Sequence, residues 1–306
     1  MGRRKTPGCR VAVLRAKDAV HLARAPGKRY SDHVHARSPL PSSLRSPVTD
    51  AERLHLRERP TGLAIIRQRW QALGFLHWAV EPESLASRIP PGLELDTWEG
   101  RAYVGIVPFT IRGTRTLFLP HLPGVTSFHE LNLRTYVHRQ GRDPGVLFFS
   151  LDAASRAAVW AARASFKLPY HAAEIAMSRS GDGVTFTSRR RGPGPRAFFS
   201  CRYWPTAAAG PAAPGTLEFF LAERYLLYSW DGCTLRRGRV WHTPYPLATA
   251  RAEDLTEELS AAAQLTLPAY DEPLVHYASE VDAHIYAPSV VALASLPAAE
   301  VPGATR

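Results

Sequence analysis

Lysine is nearly missing from most of this chain: after residue 60 the 24 basic side chains are 23 arginines and the single Lys167. Such avoidance of lysine fits a GC-rich coding bias and makes the one survivor worth noting. Cysteine is equally sparse. Cys9, Cys201 and Cys233 form no C-x-x-C pair and are odd in number, which argues against a zinc ribbon or a disulfide framework and fits reduced thiols. Long apolar runs are absent too. None approaches the roughly 20 residues that span a bilayer, and Val11 to Leu14 falls short of the roughly 7–15 apolar residues of a signal-peptide core. A cytoplasmic protein without membrane contact is expected. Neither G-x-G-x-x-G nor G-x-x-x-x-G-K-[ST] occurs, and no serine stands in a G-x-S-x-G elbow. His77, His129 and His138 lack ligand spacing, and residues 61–306 contain no H-x-x-x-H or H-x-H. Neither a metal nor another cofactor is expected.

Positive charge is abundant but local. The formal net charge is +11, yet residues 1–60 carry 14 Lys+Arg against 5 Asp+Glu, which leaves only +2 for residues 61–306. A nearly neutral body is not built to steer polyanions, so nucleic acid is not expected as a partner, the basic N-terminal segment being the one place that could bind it. That segment is rich in Arg, Pro, Ser and His without a hydrophobic period, and cannot offset its ordering entropy. Residues 1–61 are read as a disordered basic leader; a transit peptide or an upstream-placed translation start would have the same composition. Residues 62–290 form one domain and residues 291–306 a flexible tail.

The domain reads as mostly strand. Leu73 to Val80 is an aromatic strand, Pro82 to Ile89 a short helix that Pro90-Pro91-Gly92 stops, and Ala102 to Ile111 a strand of a hairpin. Ser127 to Asp152 is the clearest hairpin. Asp152 is placed as the N-cap of a helix over Ala153 to Phe166, which Pro169 ends. Strands follow on either side of Ser180-Gly181-Asp182-Gly183, then at Ala197 to Trp204, Thr216 to Ser229, Thr234 to His242 and Leu274 to Tyr286, with a helix over Glu253 to Gln264. About nine or ten strands and three helices, not in β-α-β-α order, specify an α+β domain built on an antiparallel sheet or barrel.

Within the clearest hairpin one strand carries an unusual row. Alternation puts Phe128, Glu130, Asn132, Arg134 and Tyr136 on one face, and His129, Leu131, Leu133, Thr135 and Val137 on the other. A carboxylate, an amide, a guanidinium and a phenol in line, among β-branched and aromatic neighbours, point to the polar lining of an interior space. Glu130 and Arg134 lie about 13 Å apart along the strand and cannot pair directly. Arg134 with Glu223, or Glu130 with Arg67 or Arg69, are the expected ion pairs, Glu223 and Arg224 being placed on opposite sides of a strand.

With these residues in hand, the chain resembles the uncharacterised bacterial YqjF-like family, within the acetoacetate-decarboxylase-like β-barrel superfamily. The resemblance rests on Phe75-Leu76-His77-Trp78, Ile89-Pro90-Pro91-Gly92-Leu93 and Val107-Pro108-Phe109. It continues through Phe128 to Val137, Gly145-Val146, Phe149 to Asp152, Leu168-Pro169-Tyr170 and Glu223-Arg224-Tyr225. It implies an antiparallel barrel resembling the acetoacetate decarboxylase fold, with a few peripheral helices and an internal pocket. Enzymes of that superfamily use a Schiff-base lysine whose pKa is depressed by a neighbouring lysine. Their Pro-Lys-Lys segment corresponds here to Pro169-Tyr170-His171, neither of whose side chains can form an iminium. Glu130 resembles the superfamily's pocket glutamate.

The candidate site follows from both readings. Arg134 would hold an acid group, Glu130 would act as base or orienting acceptor, and Tyr170 would donate a hydrogen bond. Asn132, Tyr136, His171, Glu223 and Arg224 are candidate ligand contacts. The expected partner is a small polar or anionic organic molecule, and an oligomer is compatible with the sequence. Two alternatives stay open: a Schiff-base enzyme acting on a 2-oxo or 3-oxo acid through Lys167, and a non-catalytic structural or interaction protein. A helix-terminal cation complementing the dipole is the plainer role for Lys167.

Overall fold

A computed structural model describes residues 47–117, 126–268 and 271–291. Among them, thirteen strands and five helices follow one another along the chain. Helix α1 (Asp50–Arg57) precedes β1 (Ile66–Val80), α2 (Pro82–Ala86), β2 (Glu94–Leu95), β3 (Ala102–Thr116), β4 (Phe128–Arg139) and β5 (Arg142–Ala153). Then come α3 (Arg156–Phe166), β6 (Tyr170–Ser180), β7 (Gly183–Arg190), β8 (Phe198–Pro205), α4 (Leu217–Ala222), β9 (Leu226–Trp230) and β10 (Leu235–His242). Strand β11 (Leu247–Glu257), α5 (Leu259–Ala262), β12 (Leu274–Ile285) and β13 (Ser289–Val290) complete the order. Among the described residues no helix is long and apolar enough to cross a membrane.

All ladders are antiparallel except β5 with β6 and β5 with β9. The pairings return on themselves twice. One circuit runs β4–β5–β6–β7–β8–β11–β12–β1–β3 and back to β4. The other leaves β5 through β9 and β10, rejoins at β12 and shares β1, β3 and β4. The shared strands are therefore covered on both faces, and their middles are buried without a break, as in Phe75 to Trp78 and Ala102 to Ile111. On one side Leu131 and Leu133 pack with Leu76, Val104, Ile106, Phe186, Phe199 and Tyr203. On the other, Tyr136 packs with Tyr103, Val146, Phe220 and Leu221. Each such apolar side chain contributes about 1.5–3 kcal/mol by leaving water.

Several boundaries differ from the sequence reading, each for a local reason. The folded body begins before residue 62. Thr49 caps α1 by accepting the Glu52 N–H at 3.2 Å, and Arg53 and Leu56 turn inward; a charge-rich stretch concealed one amphipathic helix. Residues 1–46 and 292–306, the rest of the proposed leader and nearly all of the tail, lie outside the described residues. The cap of α3 is Ser155, whose Oγ accepts the Ala158 N–H at 3.3 Å, while Asp152 belongs to β5. The first part of Thr216 to Ser229 is helical. Thr216 caps α4, and its Leu-Glu-Phe-Phe-Leu-Ala run is buried around most of its circumference, a pattern that does not separate helix from strand. Glu253 to Glu257 is strand, held by β8, and only Leu259–Ala262 is helical.

Gly145 is required where β9 meets β5. A Cβ there would stand 2.8 Å from the Leu226 carbonyl oxygen and 2.9 Å from the Tyr228 ring. Backbone cannot yield as a flexible side chain does, so Gly145→Ala is expected to cost about 1–3 kcal/mol. A fall in the urea midpoint checks this, and an unchanged midpoint would show that β9 is not held so closely.

Candidate functional site

Register builds the site from three neighbouring strands. Arg134 lies opposite Gly105 on β3, and Gly105 opposite His77 on β1, so these residues share one face. Because residue 105 has no side chain, His77 leans across it: a Cβ there would stand 2.9 Å from the imidazole. His77 Nε2 thereby reaches the Tyr136 hydroxyl at 2.7 Å. The Arg134 guanidinium lies 5.7 Å from the Phe75 ring centre and 5.8 Å from that of Tyr136. Phe75 meets Tyr245 edge-on at 5.1 Å, and His242 lies between Tyr245 and Tyr225, 4.4 Å from each.

The row itself is interior. Glu130 is 3 % exposed, Asn132 6 %, Arg134 8 % and Tyr136 0 %. The decisive feature is what these groups lack. Arg134 Nε and Nη2, Asn132 Oδ1 and His77 Nδ1 are buried and have no hydrogen-bond partner among the described residues. Buried polar groups are nearly always satisfied, because each orphan costs about 1–3 kcal/mol and a charged one more.

Glu130 and Tyr170 do meet. Asn132 pairs with Leu151 and Leu151 with Tyr170, which carries the phenol to the same face, and the Tyr170 hydroxyl donates to Glu130 Oε2 at 2.9 Å. Burial raises the Glu130 carboxyl to about 8, against the opposing effect of the Tyr170 hydrogen bond. At neutral pH the carboxyl holds its proton. Burial, aided by the cationic arginines, keeps His77 well below its usual range and neutral. His242 is lowered as well, chiefly by burial.

The expected ion pairs are replaced by others. Arg69 sits on the surface with Glu280 and Asp282, so it does not reach Glu130. Glu223 is not Arg134's partner either: it follows α4, accepts from the Tyr225 hydroxyl and the Tyr245 N–H, and has Arg57 at 4.0 Å. Arg224 donates to Asp96 at 2.5 Å and to the Phe220 carbonyl at 2.7 Å, and lies 4.8 Å from the Tyr136 ring centre. Asp96 also receives both Arg53 nitrogens, at 2.7 and 2.9 Å. His171 leaves the group, because the β6 register places it beside Asp152 on the opposite face, where Arg190 grips that carboxylate. Burial and Arg190 lower His171 to about 4. Lys167 is exposed and ends α3 in a left-handed conformation, φ 53°. It offers no amine to the interior. Two surface concavities lie away from the row, one beside Arg156, Trp160 and Arg163, the other beside Arg139, Asp143 and Arg237.

Four contributors escaped the sequence reading: His77, Asp96, Arg53 and Tyr245. His77 carried a signal, since it lies in the same aromatic strand that opens the domain. Arg53 carried none, its local composition being that of the leader.

A family model described as an uncharacterized conserved protein, DUF2071, matches residues 67–282. The chain belongs to the DUF2071 family. The uncharacterized protein YqjF of Bacillus subtilis (strain 168) is 40% identical over 223 residues, covering 73% of this chain and 91% of that relative. Solved structures share the fold of this DUF2071 protein at low identity. The enduracididine biosynthesis enzyme MppR complexed with pyruvate is 14% identical with a TM-score of 0.55, over 77% of this chain and 94% of its own. Acetoacetate decarboxylase from Legionella pneumophila is 15% identical with a TM-score of 0.52, over 76% and 92%. The expected YqjF-like membership and the sheet-rich α+β fold similar to acetoacetate decarboxylase both hold.

The raised Glu130 carboxyl has a consequence for stability. Unfolded, it titrates near 4.5, and folded near 8. Between those values the unfolded chain has released its proton while the native one keeps it, so stability is full below the lower value and falls as pH rises through the window. The slope is up to about 1.4 kcal/mol per pH unit. Unfolding free energies measured from pH 5 to 8 should fall less steeply in Glu130→Gln; parallel profiles would contradict the assignment.

Proposed function

We propose that this protein binds a small organic acid inside a barrel formed by the closed strand circuits, with Arg134 as the anchor for its carboxylate. The observation that carries this reading is the buried Arg134 guanidinium with two nitrogens unpartnered among the described residues. A carboxylate offers the two acceptors that a guanidinium fork matches best. Asn132 Oδ1 and His77 Nδ1 are the neighbouring groups open to further contacts with the ligand. The local charges support an anion: the Asp96 carboxylate is already engaged by Arg53 and Arg224, and Glu130, on Arg134's own strand, stays protonated. The Glu130–Tyr170 pair holds a transferable proton near neutral pH, the property required of a general acid or base acting on a bound acid.

The covalent alternative through Lys167 has no geometric support, since that amine is on the surface. Borohydride trapping with pyruvate, read by mass spectrometry, should leave Lys167 unmodified; a reduced adduct on it would restore the Schiff-base reading. The pyruvate of the MppR complex makes a 2-oxo acid a natural first probe. Calorimetric titration with pyruvate and with acetoacetate should show saturable binding that weakens at least about tenfold in Arg134→Met. That variant should melt no lower than the wild type, because removing a buried cation with two nitrogens unpartnered among the described residues removes a desolvation cost. A variant that unfolds, together with a wild type that binds neither acid, would make the row structural.

A further inference from the structure

Helix α1 lies ahead of residue 67, where the match to the DUF2071 family begins, yet it sends a guanidinium into the middle of the domain. Arg53 is 3 % exposed and grips Asp96, which is fully buried, through two hydrogen bonds. Asp96 is held in turn by its backbone N–H, which donates to the Tyr136 carbonyl at 3.0 Å. Arg224 uses the same Asp96 oxygen as Arg53 Nη1. Both guanidinium groups also stack on Phe220, at 4.9 and 4.4 Å from its ring centre. Arg224 reaches on to the Tyr136 ring, and the Tyr136 hydroxyl fixes His77. A continuous path of close contacts thus leads from α1 to the imidazole beside Arg134.

We propose that Arg53 is a positioning residue: by sharing Asp96 with Arg224 it fixes where Arg224 stands against Tyr136, and so sets the Tyr136–His77 pair that flanks the anion site. Two cations on one carboxylate define a single arrangement. With Arg53 removed, Asp96 loses two of its hydrogen bonds, the Arg224 fork resettles on the carboxylate, and its stand against the face of Tyr136 changes. The hydroxyl of Tyr136 then moves relative to His77 Nε2. The ligand part of this inference rests on the anion-binding reading; the positional part does not.

The test separates the two. Imidazole nitrogen shifts of His77, from ¹⁵N-histidine-labelled full-length protein, report its hydrogen bond to Tyr136 without any ligand. In Arg53→Gln and in Arg53→Lys, which keeps the charge but loses the two-pronged grip, the His77 shifts should change while those of the distant His171 stay as in the wild type. Where the wild type binds pyruvate, its affinity should fall roughly tenfold in Arg53→Gln, as for linked members of one polar network, and recover in part in Arg53→Lys. A wild type that binds no pyruvate, with His77 still displaced by Arg53→Gln, would sink the anion reading and leave the positioning role standing. Unchanged His77 shifts in a folded variant would overturn the positioning role, leaving Arg53 as a clamp on α1 alone. If Arg53→Gln does not fold, Arg53→Lys decides by the same His77 readout.

Discussion

A positive charge taken out of water must be compensated, and this constraint organises the interior. Three guanidinium groups, from Arg53, Arg224 and Arg134, enter a region walled by Phe75, Tyr136, Phe220 and Tyr245. The first two share Asp96. Arg134 has the faces of Phe75 and Tyr136 beside it, which offset part of its lost hydration, while its Nε and Nη2 find no acceptor among the described residues. A fold selected for stability alone would have little reason to retain that residue, since an apolar side chain of similar volume would avoid the cost. A buried guanidinium with two nitrogens unpartnered among the described residues is what a site for an exogenous anion requires.

The double closure of the sheet makes such a region possible. Strands β1, β3 and β4 are covered on both faces, so the alternation of β4 divides two environments: Leu131 and Leu133 on the apolar side, Glu130, Asn132, Arg134 and Tyr136 on the other. Glycine at 105 then lets β1 contribute His77 across β3. At the opposite end of the row the low polarity that makes Arg134 costly keeps Glu130 protonated against Tyr170. One environment thus prepares a fixed cation and a neutral carboxyl, two groups with different chemical uses on a single strand.

The row on β4 was legible because period-two alternation is local and because four dissimilar polar residues on one face have no packing rationale. The strand hairpins 128–153 and 170–190 were equally legible from their Gly and Asp turns. What sequence could not supply was partnership across distance. Arg134 and Glu223 were natural candidates to pair, but Glu223 follows helix α4 and faces Tyr225 and Tyr245. Arg53 was hidden, since its surroundings in sequence have a disordered composition while its partner Asp96 lies 43 residues away. His171 adjoins Tyr170 in sequence, yet strand alternation sends the two to opposite faces.

The central claim is that an anion, not protein, completes the coordination of Arg134. Anomalous diffraction from crystals of the protein grown or soaked in bromide tests it directly, because a halide needs no assumption about the natural ligand. The account predicts a bromide peak within hydrogen-bonding distance of Arg134 Nε or Nη2, on the side of Asn132 and His77. An interior in which those nitrogens are covered by protein atoms, with bromide only at the surface, would contradict it.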